Sequence, residues 1–244
     1  MIRIDAWRQN LAFVEDDIRE AARQAGRARE DIQLIVVTKA HSVDIVEELL
    51  ELGVRDIGES YVQEALEKQA VIAEYEPKYE DARWHMIGHV QSRKAGAVAE
   101  AFDWVHSVDS LKLARRLGRF AEERGQVLKA LLQVNVSGEE SKYGLDAKDE
   151  DKWPALAEEV GELVSIQGLD IQGLMSIPPF DPDESVARAA YAKTRRLREL
   201  LSGTFREHAW THLSTGMSGD FKAAILEGAT MLRLGSVILG PRPD

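Results

Sequence analysis

The sequence has no cysteine among its 244 residues. Disulfides, thiol nucleophiles and cysteine-based metal sites are therefore excluded. It also lacks an excess of positive charge: 31 Lys and Arg stand against 42 Asp and Glu, for a formal net charge of −11. A nucleic-acid surface needs a basic face, which this balance does not provide. It does not exclude a phosphorylated ligand, because a few local donors can hold one phosphate on an acidic protein. No apolar run approaches the ~18 residues of a membrane span, and the start, MIRIDAWRQNLAF, has no apolar leader core. The chain is expected to be soluble and cytoplasmic. Its 7 prolines and 18 glycines are scattered, so nothing marks a linker, and one domain over residues 1–244 is expected.

Against these absences stands a strong periodic pattern. Residues 5–28 carry Trp7, Leu11, Val14, Ile18 and Ala22 at helical spacing. Short apolar runs then alternate with longer amphipathic stretches. The runs are LIVVT (34–38), RDIG (55–58), WHMIG (84–88), WVHSV (104–108), KALLQVNV (129–136), IQGLMSI (171–177), THLST (211–215) and MLRLG (231–235). Alternating β and α units form a parallel sheet covered by helices. Eight units in a domain of this size predict an α/β fold, a single TIM-type (β/α)8 barrel with a leading N-terminal helix. The competing open doubly wound sheet lacks its G-x-G-x-x-G fingerprint after the first strand.

In such barrels the chemistry sits at the C-terminal ends of the strands. Read in order, those ends are Thr38-Lys39, Gly58-Glu59-Ser60, His85 to His89 and His106 to Asp109, followed by Asn135 to Ser137, Met175-Ser176, Ser214 to Ser218 and Arg233 to Ser236. STGMSGD (214–220) opens into a helix, and RLGS (233–236) follows the last strand. Small residues let backbone N–H groups approach an anion, and a helix N-terminus adds a favourable dipole. The bland alternative for STGMSGD is a helix cap with turn glycines. Lys39 follows the apolar LIVV and Thr38 at the mouth of the first strand. Desolvation there makes an amine nucleophilic toward aldehydes, although a lysine ending a strand can also simply reach water. An aldehyde-reactive lysine and a phosphate cradle on one rim are what a pyridoxal 5′-phosphate (PLP) site requires.

LIVVTKAHS, GESYVQEALEK, WHMIGHVQSRK, NVSGEESKYGL, GLMSIPP, STGMSGDFKAAILEGATMLRLGS and the ending ILGPR together resemble the pyridoxal phosphate homeostasis protein family. Its members are also called proline synthetase co-transcribed homologues, or alanine racemase N-terminal-domain-like proteins. The resemblance runs from about residue 30 to the C-terminus, in the family's order and spacing. It implies a monomeric barrel with PLP as a Schiff base on Lys39, phosphate contacts at Ser218, Gly235 and Ser236, and Arg233 facing the pyridine nitrogen. Ser60, His85, Met175, Ser214 and Met217 complete the expected cofactor-binding set. The chain departs from the family at Ser60, where Asn is usual, at Arg93 in place of Asn, and at His89 in place of Pro or Asp.

The remaining features carry less. His85, His89 and His106 are not expected to form a metal site, because the i,i+4 pair spans a strand end and a turn. Lys142 is either a solvated charge beside Glu139 and Glu140 or a second amine near the entrance that handles PLP in transit. Tyr61 and Met175 are expected to be packing residues, with Met175 also a candidate to flank the ring. A Schiff-base aldolase is disfavoured, since the sixth strand, IQGLMSI, carries no lysine. The other alternative is a PLP-dependent amino-acid racemase. The resemblance implies that such enzymes add a second domain and a partner tyrosine, whereas this chain stops about ten residues after its last strand. With Lys39 the one clear base, the expectation is a carrier or buffer in intracellular vitamin B6 homeostasis, transiently meeting apo PLP enzymes and not itself an enzyme.

Overall fold

The structure is a computed structural model that describes residues 2–75, 78–181 and 183–241. Arg242, at the end of the ILGPR block, lies outside them. The leading helix α1 spans Ile2–Gln24 and buries Trp7, Val14, Ile18 and Ala22, with Leu11 half-buried. It stops short of residue 28 because Gly26 turns to φ 68°. The Gly26 N–H then bonds Arg23 O at 3.1 Å and Arg27 N–H bonds Ala22 O at 2.9 Å, a Schellman end.

Strands and helices then alternate: β1 (Gln33–Val37), α2 (Val43–Glu51), β2 (Asp56–Glu59), α3 (Val62–Ala73), β3 (Arg83–Met86), α4 (Ala95–Ala101), β4 (Trp104–Val108), α5 (Leu111–Glu123) and β5 (Leu128–Asn135). The chain continues with β6 (Leu145–Asp146), α6 (Trp153–Val164), β7 (Leu169–Met175), α7 (Glu184–Thr204), β8 (His212–Ser214), α8 (Phe221–Leu226), β9 (Met231–Leu234) and α9 (Ser236–Leu239). The strand order is β4-β3-β2-β1-β9-β8-β7-β5, and β4 also pairs with β5, which closes the ring. Every pairing is parallel, so the closed eight-stranded barrel is the one expected. The two-residue β6 pairs with β5 outside the ring.

Closure explains why the strands read as continuous apolar runs, since both faces are covered. In β1, Ile35 points into the barrel beside Trp104, Leu131, Met175 and Met231. Its neighbour Val36 points outward to the layer containing Ile18, Leu49 and Phe221. Full burial of such side chains contributes about 1.5–3 kcal/mol each. The short helix α9 has no counterpart in the periodic pattern. It packs under α1, where Asn10 Nδ2 donates to Ile238 O at 2.8 Å. That contact links the leading helix to the loop after the last strand. Among the described residues, no helix is long and apolar enough to cross a membrane.

Candidate functional site

Lys39 leaves β1 in a tight turn. Thr38 O accepts the His41 N–H at 3.1 Å, which places Lys39 and Ala40 at the two central positions. Ala40 has φ 63°, the left-handed conformation of the third residue of a type II turn, where Gly or Asn is usual. That conformation costs an alanine roughly 1–2 kcal/mol.

The turn is tied down by a buried cluster. Lys68, reaching across from α3, donates to Thr38 O at 2.8 Å, Glu59 Oε1 at 2.6 Å and Glu64 Oε1 at 2.6 Å. Thr38 Oγ1 also donates to Glu59 Oε1 at 2.6 Å, and the Ala40 N–H donates to Glu64 at 2.7 Å. Glu59 is fully buried, and that burial pushes its pKa up against the hydrogen bonds from Lys68 and Thr38. In the sequence Glu59 stands only among the strand-end rim residues, and nothing singles out Lys68.

Above this turn lies a cavity of about 430 Å³. Its wall includes Lys39, Ser60, Met217, Ser218, Arg233, Gly235 and Ser236, seven of the expected residues. It also includes His41, which the sequence reading passed over although it stands two residues after Lys39 in the TKAHS block. Ile87, Ile177 and the exposed Phe180 supply apolar wall.

Three expected contacts do not reach this wall. His85, Met175 and Ser214 are buried in the barrel interior beneath it. Met175 packs among Ile35, Trp104, Leu131 and Met231, so it fills the barrel instead of flanking the cavity. Tyr61 corrects the packing expectation in the other direction. It stands just before α3 and is 59% exposed, because the chain is still extended there and turns its ring to solvent.

The small-residue loops after the last two strands meet on one side of the cavity. The Ser218 hydroxyl accepts from the Gly235 and Val237 N–H groups, each at 3.3 Å. These are the open amides at the start of α9, which the sequence pattern did not announce. In the turn before α8, Asp220 accepts the Met217 N–H at 2.7 Å. Gly216 has φ 92°, and a Cβ there would lie 2.8 Å from the Cβ of Ala224, so the STG turn needs its glycine. Arg233 forms the floor. Burial lowers its pKa, and among the described residues no carboxylate forms an ion pair with it.

The smaller features fall elsewhere. His89 bonds Asp109 at 2.9 Å and stacks on Tyr143 with ring centroids 3.7 Å apart. His85 instead bonds His106 directly. Among the described residues, no group of three or more His, Asp or Glu could hold a metal. Arg93 bonds Gln91 in its own turn. Lys142 pairs with Glu139 beside a smaller cavity of about 150 Å³ that shares Ile177 with the main one.

Comparison with known proteins gives the family and the fold. Residues 4–243 match the family described as alanine racemase, N-terminal domain. The pyridoxal phosphate homeostasis protein of Pseudomonas aeruginosa is 44% identical over 234 residues, covering 96% of this chain and 95% of that one. The solved structure of PipY from Synechococcus elongatus with PLP bound is 37% identical, with a TM-score of 0.79 over 91% of this chain and 100% of PipY. Alanine racemase from Clostridium difficile shares the fold at 18% identity and TM-score 0.68, over 98% of this chain but 57% of the racemase. With relatives matching along nearly its whole length, the chain belongs to the pyridoxal phosphate homeostasis protein family.

Proposed function

We propose that this protein holds PLP on Lys39 and releases it again, as a carrier or buffer of the cofactor and not as an enzyme acting on amino acids. The observation that carries the reading is that one cavity gathers an amine, an anion pole and a buried cation. Its volume lies in the ordinary range for small-molecule sites. Lys39 would be the covalent anchor. The Ser218 and Ser236 hydroxyls and the Gly235 and Val237 amides would take the phosphate, which would replace the Ser218 hydroxyl as their partner. When bound, PLP supplies an aldehyde that condenses reversibly with amines and a ring that withdraws electrons.

The protein's own groups favour holding over turnover. Arg233 can only donate hydrogen bonds, so a ring nitrogen facing it is kept as an acceptor, unprotonated. That weakens electron withdrawal, where an acidic residue would strengthen it. The titratable side chains on the described wall are Lys39, His41 and Arg233. Lys39 and His41 are carried by one turn, and no titratable group on the described wall comes from a strand end opposite except Arg233, which cannot give up its proton. Racemisation needs acid–base groups on both sides. The names of the relatives point the same way: one is called a homeostasis protein, and PipY is described with PLP bound.

His41 is the observation that favours the racemase-like alternative, since it gives the cavity a second titratable group. One experiment separates the readings. PLP-loaded protein is mixed with an apo PLP enzyme and, separately, with alanine and other amino acids. The expected result is transfer to the apo-enzyme with no racemisation, transamination or decarboxylation above free PLP. Robust turnover that disappears in Lys39→Ala would overturn the carrier reading.

A further inference from the structure

Arg233 is part of a hydrogen-bond chain that crosses the barrel interior. Its Nη1 donates to Ser214 Oγ at 2.7 Å and Ser214 O at 2.5 Å, and its Nη2 donates to Ser176 O at 3.0 Å. Ser214 Oγ lies 2.8 Å from His106 Nδ1. His106 Nε2 lies 3.0 Å from His85 Nδ1, and His85 Nε2 lies 3.0 Å from Asp56 Oδ1. Ser214, His106 and His85 are fully buried, and Asp56 is 7% exposed. The chain therefore passes from β9 through β8, β4 and β3 to the first residue of β2. Only its Arg233 end lines the cofactor cavity.

Both ends dictate the same direction. Asp56 receives Arg83 Nε and Nη2 at 2.6 and 2.7 Å and Gln33 Nε2 at 2.7 Å. Burial alone would raise its pKa, but the hydrogen bonds from Arg83 and His85 outweigh burial and hold it well below the usual carboxylate range. An ionised carboxylate only accepts, so His85 must present Nε2–H to it. His85 Nδ1 is then an acceptor and takes the proton of His106 Nε2. His106 Nδ1 in turn takes the Ser214 hydroxyl proton. At the other end Arg233 can only donate, and it does so to the lone pairs that Ser214 has left. With both rings neutral, one arrangement satisfies every link, each ring protonated at Nε2. Burial, with the Arg233 charge nearby, lowers the His106 pKa well below the ordinary imidazole value.

We propose that Asp56, His85, His106 and Ser214 form a positioning relay that fixes the Arg233 guanidinium toward the ring nitrogen of the cofactor. The proposal rests on the PLP reading. Arginine has a long, mobile stem; Asp220 is near enough to act on Arg233 through its charge, but among the described residues no carboxylate forms a direct ion pair with it. The relay ties it through four hydrogen bonds to the Asp56 carboxylate, which Arg83 anchors. It also accounts for two histidines and a serine inside a barrel that apolar side chains would otherwise fill.

The first test needs no cofactor. Nitrogen-15 NMR of the imidazoles in the unaltered protein should show His85 and His106 both as the Nε2–H tautomer. An Nδ1–H form in either ring would overturn the relay's direction. The second test uses PLP. His106→Leu should weaken its retention about tenfold, the size of one lost hydrogen bond, and shift the absorption band of the bound cofactor. His106→Gln, which keeps one acceptor and one donor, should restore the band. Retention and spectrum unmoved by His106→Leu would overturn the relay alone. An unaltered protein that never retains PLP would overturn the cofactor reading and the proposal with it.

Discussion

The Lys68 ammonium lies 2.6 Å from Glu59 Oε1 and 2.8 Å from the carbonyl of Thr38, the residue before Lys39. Lys68 is 4% exposed and Glu59 fully buried, so this ion pair is an interior feature tied to the turn that carries Lys39. Removing one member of a buried pair leaves the other charge uncompensated. Lys68→Met should therefore cost about 3–5 kcal/mol in urea denaturation, and Lys68→Met with Glu59→Leu should recover part of that loss. A double variant no more stable than Lys68→Met would show that Glu59 is not what the lysine compensates.

Ala40 stores local strain beside Lys39. A glycine accepts φ 63° without a Cβ penalty, so Ala40→Gly should raise stability by up to ~1 kcal/mol even though glycine makes the unfolded chain more flexible. A lower melting temperature in Ala40→Gly would count against a strained turn.

Asp56 should shape the acid limb of stability. Its folded pKa is depressed, so below its unfolded pKa of roughly 3.9 the unfolded chain binds more protons than the folded one. Stability from this group is complete above about pH 4 and is lost as pH falls through the folded value. Denaturation midpoints measured from pH 6 down to about pH 2 should fall less steeply for Asp56→Asn than for the unaltered protein. Parallel curves would contradict the assignment.

Ser218→Ala removes a donor from the anion pole. It should weaken retention of PLP by about 1.5–3 kcal/mol, the range for a hydrogen bond to a charged group, and Ser236→Ala should act in the same direction. Pyridoxal, which has no phosphate, should be insensitive to both. Equal losses for the two ligands, measured by equilibrium dialysis, would move the phosphate elsewhere.

Lys39 should be the residue that borohydride labels. After addition of PLP and reduction, the chromophore is expected on the peptide containing Lys39, and Lys39→Ala should stay unlabelled. Full labelling in that variant, located by peptide mass, would point to another lysine, with Lys142 the first to check beside its smaller cavity.

Periodicity was enough to determine the barrel, and local composition marked Lys39 and the small-residue loops as site candidates, while Arg233 was singled out only by the family resemblance. Apolar runs such as LIVVT must be covered on both faces, and their alternation with helical stretches leaves few other architectures. Lys39 after β1 and the small residues around Ser218 and Gly235 keep their meaning in one dimension, because each depends on its immediate neighbours. What only the tertiary structure decided involves residues that meet because the ring closes. His85 and His106 stand 21 positions apart and bond only because β3 and β4 pair in register, while Ser214 arrives from 108 positions beyond His106. His41 enters the cavity because a strained turn carries it there, and α9 forms where α1 packs against it. A hydrogen bond is directional and falls off within ångströms, so a buried polar chain has no spacing rule to be read from sequence, whereas burial of an apolar face repeats with the period of its own helix or strand.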